Sequence, residues 1–169
     1  MKLTTLGCWG AYPYKDGGTT SYLLTGQDGF QLLIDCGSRA LNELEKEISP
    51  LDLDAVIISH YHPDHVADLG VLRHYFQLYP KHLWEPKALP IYAHDEDKEE
   101  FGKLSLPDVS QGIAYDTAGT EQIGPFDINF IKTVHPVVCY AFRIVERATG
   151  QVFVFTGDTG FFDGLDSFA

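Results

Sequence analysis

The stretch His60-Tyr61-His62-Pro63-Asp64-His65 decides how this sequence is interpreted. It places three imidazoles and one carboxylate within six residues. Neutral imidazole nitrogen and carboxylate oxygen are preferred ligands of Zn²⁺, at about 2.0–2.2 Å. A solvated loop that happens to be rich in histidine is the alternative interpretation. The density of ligand-type side chains favours a metal site over that alternative.

The residues on either side of this stretch place it at the end of a buried strand. The preceding run, Ala55-Val56-Ile57-Ile58, is continuously apolar, which is typical of a strand covered on both faces. After the stretch, apolar residues recur at helical spacing, at Val66, Leu69, Leu72, Phe76 and Tyr79. Asp64 and His65 are therefore predicted at the start of a helix or in the loop just before it.

The spacing of the ligand-type residues suits two metal ions. His60 and His62 could serve one ion while Asp64 and His65 turn toward a second. Two ions that share an attacking water lie roughly 3.5–4 Å apart. The expected cofactor is a pair of divalent ions, with Zn the first choice and Mn or Fe also compatible with these ligands.

At this point the sequence resembles a known family. The stretch matches the His-x-His-x-Asp-His signature of the metallo-β-lactamase fold, and three further family marks occur in order. They are Asp35 after Leu32-Leu33-Ile34, His135 in Lys132-Thr133-Val134-His135, and Asp158 in Phe155-Thr156-Gly157-Asp158-Thr159. From the residues alone, His135 would as readily be a loop histidine and Asp158 a turn residue.

The resemblance implies a role for each of these residues. Metal one would be held by His60, His62 and His135. Metal two would be held by Asp64 and His65, with Asp158 between the two ions. Asp64 would also orient the attacking water or carry its proton, which requires hydrogen-bond reach. Asp35 is expected to hydrogen-bond the ligand loop and fix its orientation without touching metal.

The resemblance also implies an α+β fold, a four-layer αββα sandwich with the metals at one edge. Residues 1–169 would form a single metallo-β-lactamase-like domain, incomplete at its C-terminus, that supplies the first sheet with its helices and part of the second. Residues 126–155 should then be mainly strand. Local patterns predict strands at 3–6, 21–25, 30–34 and 89–93, helices at 38–48 and 95–103, and a surface connection at 80–90.

One departure from the family pattern concerns the second metal. Family members carry a further late histidine that completes that site, but no histidine follows His135, and the chain stops eleven residues after Asp158. Either the natural protein is longer than this chain, or metal two is weak or absent.

The sequence around His135 favours one branch of the family. It reads Val134-His135-Pro136-Val137-Val138, without the Pro-Gly-His-Thr-like stretch of the thioesterases and many lactonases. This segment and the Gly-rich opening at residues 17–21 resemble the phosphodiesterase and ribonuclease Z-like branch. The prediction is a hydrolase that uses a metal-activated water on the phosphodiester bonds of a small nucleotide or RNA-like substrate. A thioester or lactone hydrolase, or a non-catalytic metal- or partner-binding domain, are the alternatives.

Composition narrows the choice of partner. The chain has 12 Lys and Arg against 24 Asp and Glu, a formal charge of −12, so a long nucleic acid finds little support in charge. No apolar run reaches membrane-spanning length and no secretory signal is evident, so no membrane partner and a cytoplasmic location are expected. The three cysteines do not suggest a disulfide framework. A homodimer is compatible with these features.

Three histidines remain outside the predicted site. His74 and His82 are expected at the surface. His94 follows a predicted strand and could approach the cleft, but no role is assigned to it.

Overall fold

The computed structural model describes residues 1–80 and 87–169, which form two β-sheets and several helices. The predicted connection at 80–90 falls partly, and His82 wholly, outside the described residues. The strands are β1 (Lys2–Trp9), β2 (Gly18–Thr19), β3 (Ser21–Thr25), β4 (Gln31–Ile34), β5 (Ala55–Ile57), β6 (Leu89–Ala93), β7 (Ser110–Ala114), β8 (Glu121–Ile123), β9 (Phe126–Lys132), β10 (Tyr140–Glu146) and β11 (Val152–Phe155). The helices are α1 (Ala40–Glu47), α2 (Pro63–Val66), α3 (Leu69–Leu78), α4 (Lys98–Gly102) and α5 (Leu165–Phe168).

The first sheet has seven strands in the order β2-β1-β3-β4-β5-β6-β7. Strands β1, β3 and β4 pair antiparallel, and β4 to β7 pair parallel. The parallel half brings the carboxyl ends of β4, β5 and β6 to one edge of the sheet. Asp35 and His94 directly follow β4 and β6, and Ser59 follows the end of β5 after one residue.

Successive residues of the central strands point to opposite faces of the first sheet, so their side chains lie in two separate hydrophobic cores. On β4, Leu33 packs in the core that includes Leu44 of α1 and Leu72 of α3. Its neighbours Leu32 and Ile34 belong to the core shared with the second sheet. The predicted two-faced burial of β5 is confirmed in the same way.

The second sheet has four antiparallel strands in the order β11-β10-β9-β8. Phe126, Ile128, Phe142 and Ile144 alternate along β9 and β10 and face the first sheet, all fully buried. Strands β9 to β11 confirm the prediction that residues 126–155 are mainly strand. The described residues thus supply a helical layer and two sheets, three consecutive layers of the predicted αββα arrangement.

Three strands were not predicted from local pattern: β2, β7 and β8. Each lies at an edge of its sheet and has one neighbouring strand. Strands β2 and β8 have only two and three residues, too few to show alternation between apolar and polar residues. In β7, Ser-Gln-Gly-Ile-Ala, only Ser110 is buried.

Among the described residues, no helix combines the length and the apolar character that crossing a membrane requires.

Candidate metal centre

The cluster lies where the carboxyl edge of the first sheet meets the second sheet. The Tyr140 N–H donates to the Ser59 carbonyl at 3.2 Å, which joins the end of β5 directly to β10. His62 is the N-cap residue of α2, and Pro63 occupies its first turn, where a missing N–H costs nothing. Between strand and helix, His60 and His62 contact His135, which follows β9 of the second sheet.

Three imidazole nitrogens meet at the first group of candidate ligands. His62 Nδ1 lies 3.1 Å from His60 Nε2 and 2.9 Å from His135 Nε2. An ion bound tetrahedrally at about 2.1 Å would separate its nitrogens by roughly 3.4 Å, close to these distances. Asp158 completes the group, with all ligand atoms within 4.8 Å of one another. The predicted set for metal one is brought together.

The second group consists of Asp64, His65 and Asp158, again with ligand atoms within 4.8 Å. His65 Nε2 lies 3.3 Å from Asp158 Oδ1 and 3.6 Å from Asp64 Oδ2. Asp64 Oδ2 accepts a 2.7 Å hydrogen bond from the Ala11 N–H, so the loop after β1 contacts this group. Asp158 belongs to both groups, as its predicted position between two ions requires.

Asp35 orients two of the histidines. Its Oδ2 lies 2.6 Å from His65 Nδ1 and accepts the Ser59 hydroxyl at 2.7 Å, while its Oδ1 accepts the Ser59 N–H at 2.7 Å. The Ser59 oxygen in turn lies 3.1 Å from His60 Nδ1. A proton on each Nδ1 satisfies this network, so both Nε2 lone pairs face the cluster. The expected role of Asp35 agrees with these contacts.

Burial and neighbouring charges shift the pKa values of His60 and His65 in opposite directions. Burial, reinforced by the surrounding imidazoles, lowers the pKa of His60 to about 2, so the ring is neutral and can act as a ligand. Burial also opposes charge on His65, but the hydrogen bond and negative charge of Asp35 outweigh it and raise the pKa of His65. The anionic surroundings of His65 are those that a cation would neutralise.

Close backbone approaches hold the candidate ligands in place. A Cβ at Gly37 would lie 2.2 Å from the Asp64 carbonyl oxygen, so only glycine permits the loop after β4 to pack against α2. Gly157, with φ +57°, would bring a Cβ within 3.0 Å of Cys139 Sγ. Beyond it, the Thr133 hydroxyl donates to the Asp158 carbonyl at 2.8 Å, which ties the segments of His135 and Asp158 together.

A divalent cation fits these residues. His65 Nε2 is buried and makes no hydrogen bond with any described residue, although two carboxylates lie within 3.6 Å. Unpaired buried nitrogens are costly, and three imidazole nitrogens facing one another repel unless a proton or cation lies between them. Histidine and carboxylate ligands of this kind match Zn²⁺, Mn²⁺ and Fe²⁺.

We expect Asp35→Asn to weaken binding of metal at the His65 position by about 10–100-fold. An amide NH₂ beside His65 Nδ1 would force that nitrogen to accept, and the proton would move to Nε2, the atom that faces the cluster. Zinc affinity measured by competition with a chromogenic chelator tests this. Asp54→Asn is the matched control, because Asp54 precedes β5, at the end of that strand away from the cluster. It accepts the Gln31 N–H at 2.9 Å and lies 3.9 Å from Lys87 Nζ. Equal affinity in the two variants would contradict the role of Asp35.

The remaining histidines divide as follows. His74 is exposed, as predicted, and His82 lies outside the described residues. His94 is 3% exposed, and its ring lies 4.8 Å from the Tyr61 ring, next to the cluster. Sequence reasoning also missed Ser59 and the Ala11 amide. The position of Ser59 directly before the first ligand was the available signal, whereas a backbone amide leaves none.

The fold is α+β with two packed sheets, and histidines and aspartates that could hold a metal ion lie at one edge of the sheets. These features define the class of α/β-sandwich proteins with a candidate metal centre. The family model for the metallo-beta-lactamase superfamily matches residues 14–168. The chain therefore belongs to that superfamily, as the resemblance predicted.

Individual relatives agree with this assignment. The probable metallo-hydrolase YhfI of Bacillus subtilis is 41% identical over 169 residues, all of this chain and 68% of YhfI. Its crystal structure matches with a TM-score of 0.92 at 40% identity, covering 98% of this chain and 66% of that one. Ribonuclease Z of Sulfolobus acidocaldarius is 27% identical over 157 residues, 90% of this chain and 51% of the enzyme.

A more distant structure shares the fold. The short form of human tRNase Z matches with a TM-score of 0.73 at 21% identity, covering 97% of this chain and 71% of that one. The chain thus spans about two thirds of the length of YhfI and about half that of the archaeal ribonuclease Z.

Proposed function

We propose that this chain is a metal-dependent hydrolase that holds two divalent ions, with Zn²⁺ the first choice, and cleaves phosphodiester bonds of small substrates. The observation that carries the proposal is the pair of ligand groups that share Asp158. A carboxylate common to two groups is the arrangement that places two ions within reach of one water.

Bound ions of this kind supply hydroxide at neutral pH and offset the negative charge that develops on the substrate. The residues of the chain perform the remaining tasks. The Asp64 and Asp158 carboxylates both lie beside His65 Nε2, and there Asp64 can orient a water and accept the proton of that water. The Ala11 N–H holds Asp64 Oδ2 in place. The Asp158 side chain is 42% exposed, so a substrate can reach the centre from solvent.

Two features support a phosphodiester substrate. Relatives of this chain include ribonuclease Z, and the segment after Val134 lacks the Pro-Gly-His-Thr-like stretch of the acyl hydrolases. The formal charge of −12 disfavours a long polyanion, because such binding depends on clustered Lys and Arg. A small diester with a single negative charge meets less repulsion and fits the proposal better.

The test combines elemental analysis with two assays on the same metal-loaded sample. We expect close to two ions per chain and turnover of bis(p-nitrophenyl) phosphate, with little turnover of an acyl thioester. The reverse preference would replace the phosphodiesterase with an acyl hydrolase of the same fold. A metal content near one ion per chain with no turnover of either compound would favour a metal-binding domain without catalysis.

A further inference from the structure

A cavity of about 640 Å³ opens beside the candidate metal centre. His62 lines it, so the cavity begins at a proposed ligand of metal one. Tyr61, Val137 and Val138 supply an aromatic and aliphatic wall, and His94 lies among them. The volume of the cavity is within the range of about 300–1,000 Å³ that is typical of small-molecule sites.

The His94 ring is buried in this wall without a well-formed hydrogen bond to any described residue. The Val138 carbonyl faces the ring, yet neither Nδ1 nor Nε2 makes a hydrogen bond of normal geometry with any described residue. The backbone around it is well anchored, because the Tyr61 hydroxyl donates to the His94 carbonyl at 2.6 Å. A buried imidazole that is held in place without a well-formed hydrogen bond still has the capacity to bind a ligand.

The charged groups of the cavity wall already have partners. Glu96 pairs with Lys132 at 2.8 Å and accepts the Tyr140 hydroxyl at 2.6 Å. Lys98 pairs with Asp95 at 2.6 Å.

The other two acidic residues of the wall are also engaged. Glu100 pairs with Lys103 at 2.6 Å, and Asp97 accepts the Glu100 N–H at 3.0 Å. Three acidic residues and one lysine line the cavity, so it repels a second phosphate. Among the described residues that line the cavity, His94 is the buried side chain without a hydrogen-bond partner, and the acidic wall favours a neutral group.

We propose that this cavity binds a neutral, ring-bearing substituent of the substrate, namely the nucleoside of a small phosphodiester, and that His94 selects it by hydrogen bonding. The inference rests on the proposed function, since the scissile phosphodiester would lie at the metal centre next to His62. The base would pack against Tyr61 and Val138 while its polar edge meets His94. Imidazole is suited to this because it offers one donor and one acceptor.

The test compares two diesters that share one leaving group, thymidine 5′-(p-nitrophenyl) phosphate and methyl p-nitrophenyl phosphate. We expect the nucleoside diester to have the lower KM in the natural protein. His94→Phe should raise that KM about tenfold or more while leaving the KM of the methyl diester and the metal content unchanged. His94→Gln, which keeps a donor and an acceptor, should restore part of the difference. His74→Phe, on the exposed face of α3, is the control and should change neither KM.

A binding measurement separates failure of this inference from failure of the proposed function. Thymidine itself is titrated into each metal-loaded variant and followed by calorimetry, with thermal melts to confirm folding. If the natural protein cleaves both diesters equally well and His94→Phe alters neither KM, the inference is wrong and the proposed function stands. If neither diester is cleaved, the proposed function fails, and thymidine binding that His94→Phe weakens would still support the cavity assignment. If neither diester is cleaved and thymidine does not bind, the cavity assignment is overturned together with the proposed function.

Discussion

Replacement of His62 by alanine is expected to reduce phosphodiester hydrolysis by more than about 10³-fold and to lower the metal content of the purified protein. Nδ1 of His62 is the central atom of the first group, within 3.1 Å of both other imidazole nitrogens. Its loss leaves His60, His135 and Asp158 in this group, and a site with one imidazole fewer binds the ion more weakly. Without the ion, water at neutral pH provides almost no hydroxide.

Elemental analysis and initial rates with bis(p-nitrophenyl) phosphate measure this effect. His74→Ala is the matched control, because that histidine is exposed on α3 and bonds only its neighbour Gln77. Removal of metal from the natural protein with a chelator should reproduce the loss, and added Zn²⁺ should reverse it there but not in His62→Ala. Unchanged metal content and rate in His62→Ala would remove the proposed centre.

The largest expected loss of stability follows Phe142→Ala, at about 3–5 kcal/mol of unfolding free energy. Phe142 is fully buried between the two sheets, and its ring lies 5.5 Å from that of Phe130 and 5.8 Å from that of Phe155. Deletion of the ring removes buried apolar surface and leaves a cavity that these neighbours can fill only in part. A loss of this size is a large fraction of the roughly 5–15 kcal/mol typical of a domain.

Urea unfolding in excess chelator measures the change, so that metal binding does not contribute to stability. The matched control is Phe161→Ala, which deletes the same ring at a position that is 89% exposed and should cost less than about 0.5 kcal/mol. If Phe142→Ala cost no more than the control, the sheets would not pack through this residue.

Elements that bury many apolar residues were predictable from the sequence. Strands β4 and β5 are short runs of buried apolar residues, and helix α3 buries Leu69, Leu72 and Phe76 at helical spacing. Strands β2 and β8 escaped prediction because two and three residues are too few to show a pattern. Strand β7 escaped because only Ser110 of its five residues is buried. Residues 126–155 were predicted correctly as strand because β9 and β10 are seven residues long and rich in buried apolar residues, and β11 consists of Val and Phe.

The candidate site shows a similar division. His60, His62, Asp64 and His65 lie within six residues, so the chemistry of a metal site was visible in one local stretch. His135 and Asp158 follow strands of the second sheet, and from the residues alone each was ambiguous. Only the resemblance to the family joined them to the cluster, and the distances between the groups now agree with it.

By itself, the amino-acid sequence determined the ligand types, the buried strand that precedes them and the family. Only the tertiary structure decided which nitrogen of each ring faces the cluster, since Asp35 reaches His65 directly and His60 through Ser59. It also decided that His94 is buried beside a cavity without a partner. The physical reason is that periodicity and residue type are local properties of the chain. Ring orientation, tautomer and burial depend on contacts between segments that only folding brings together.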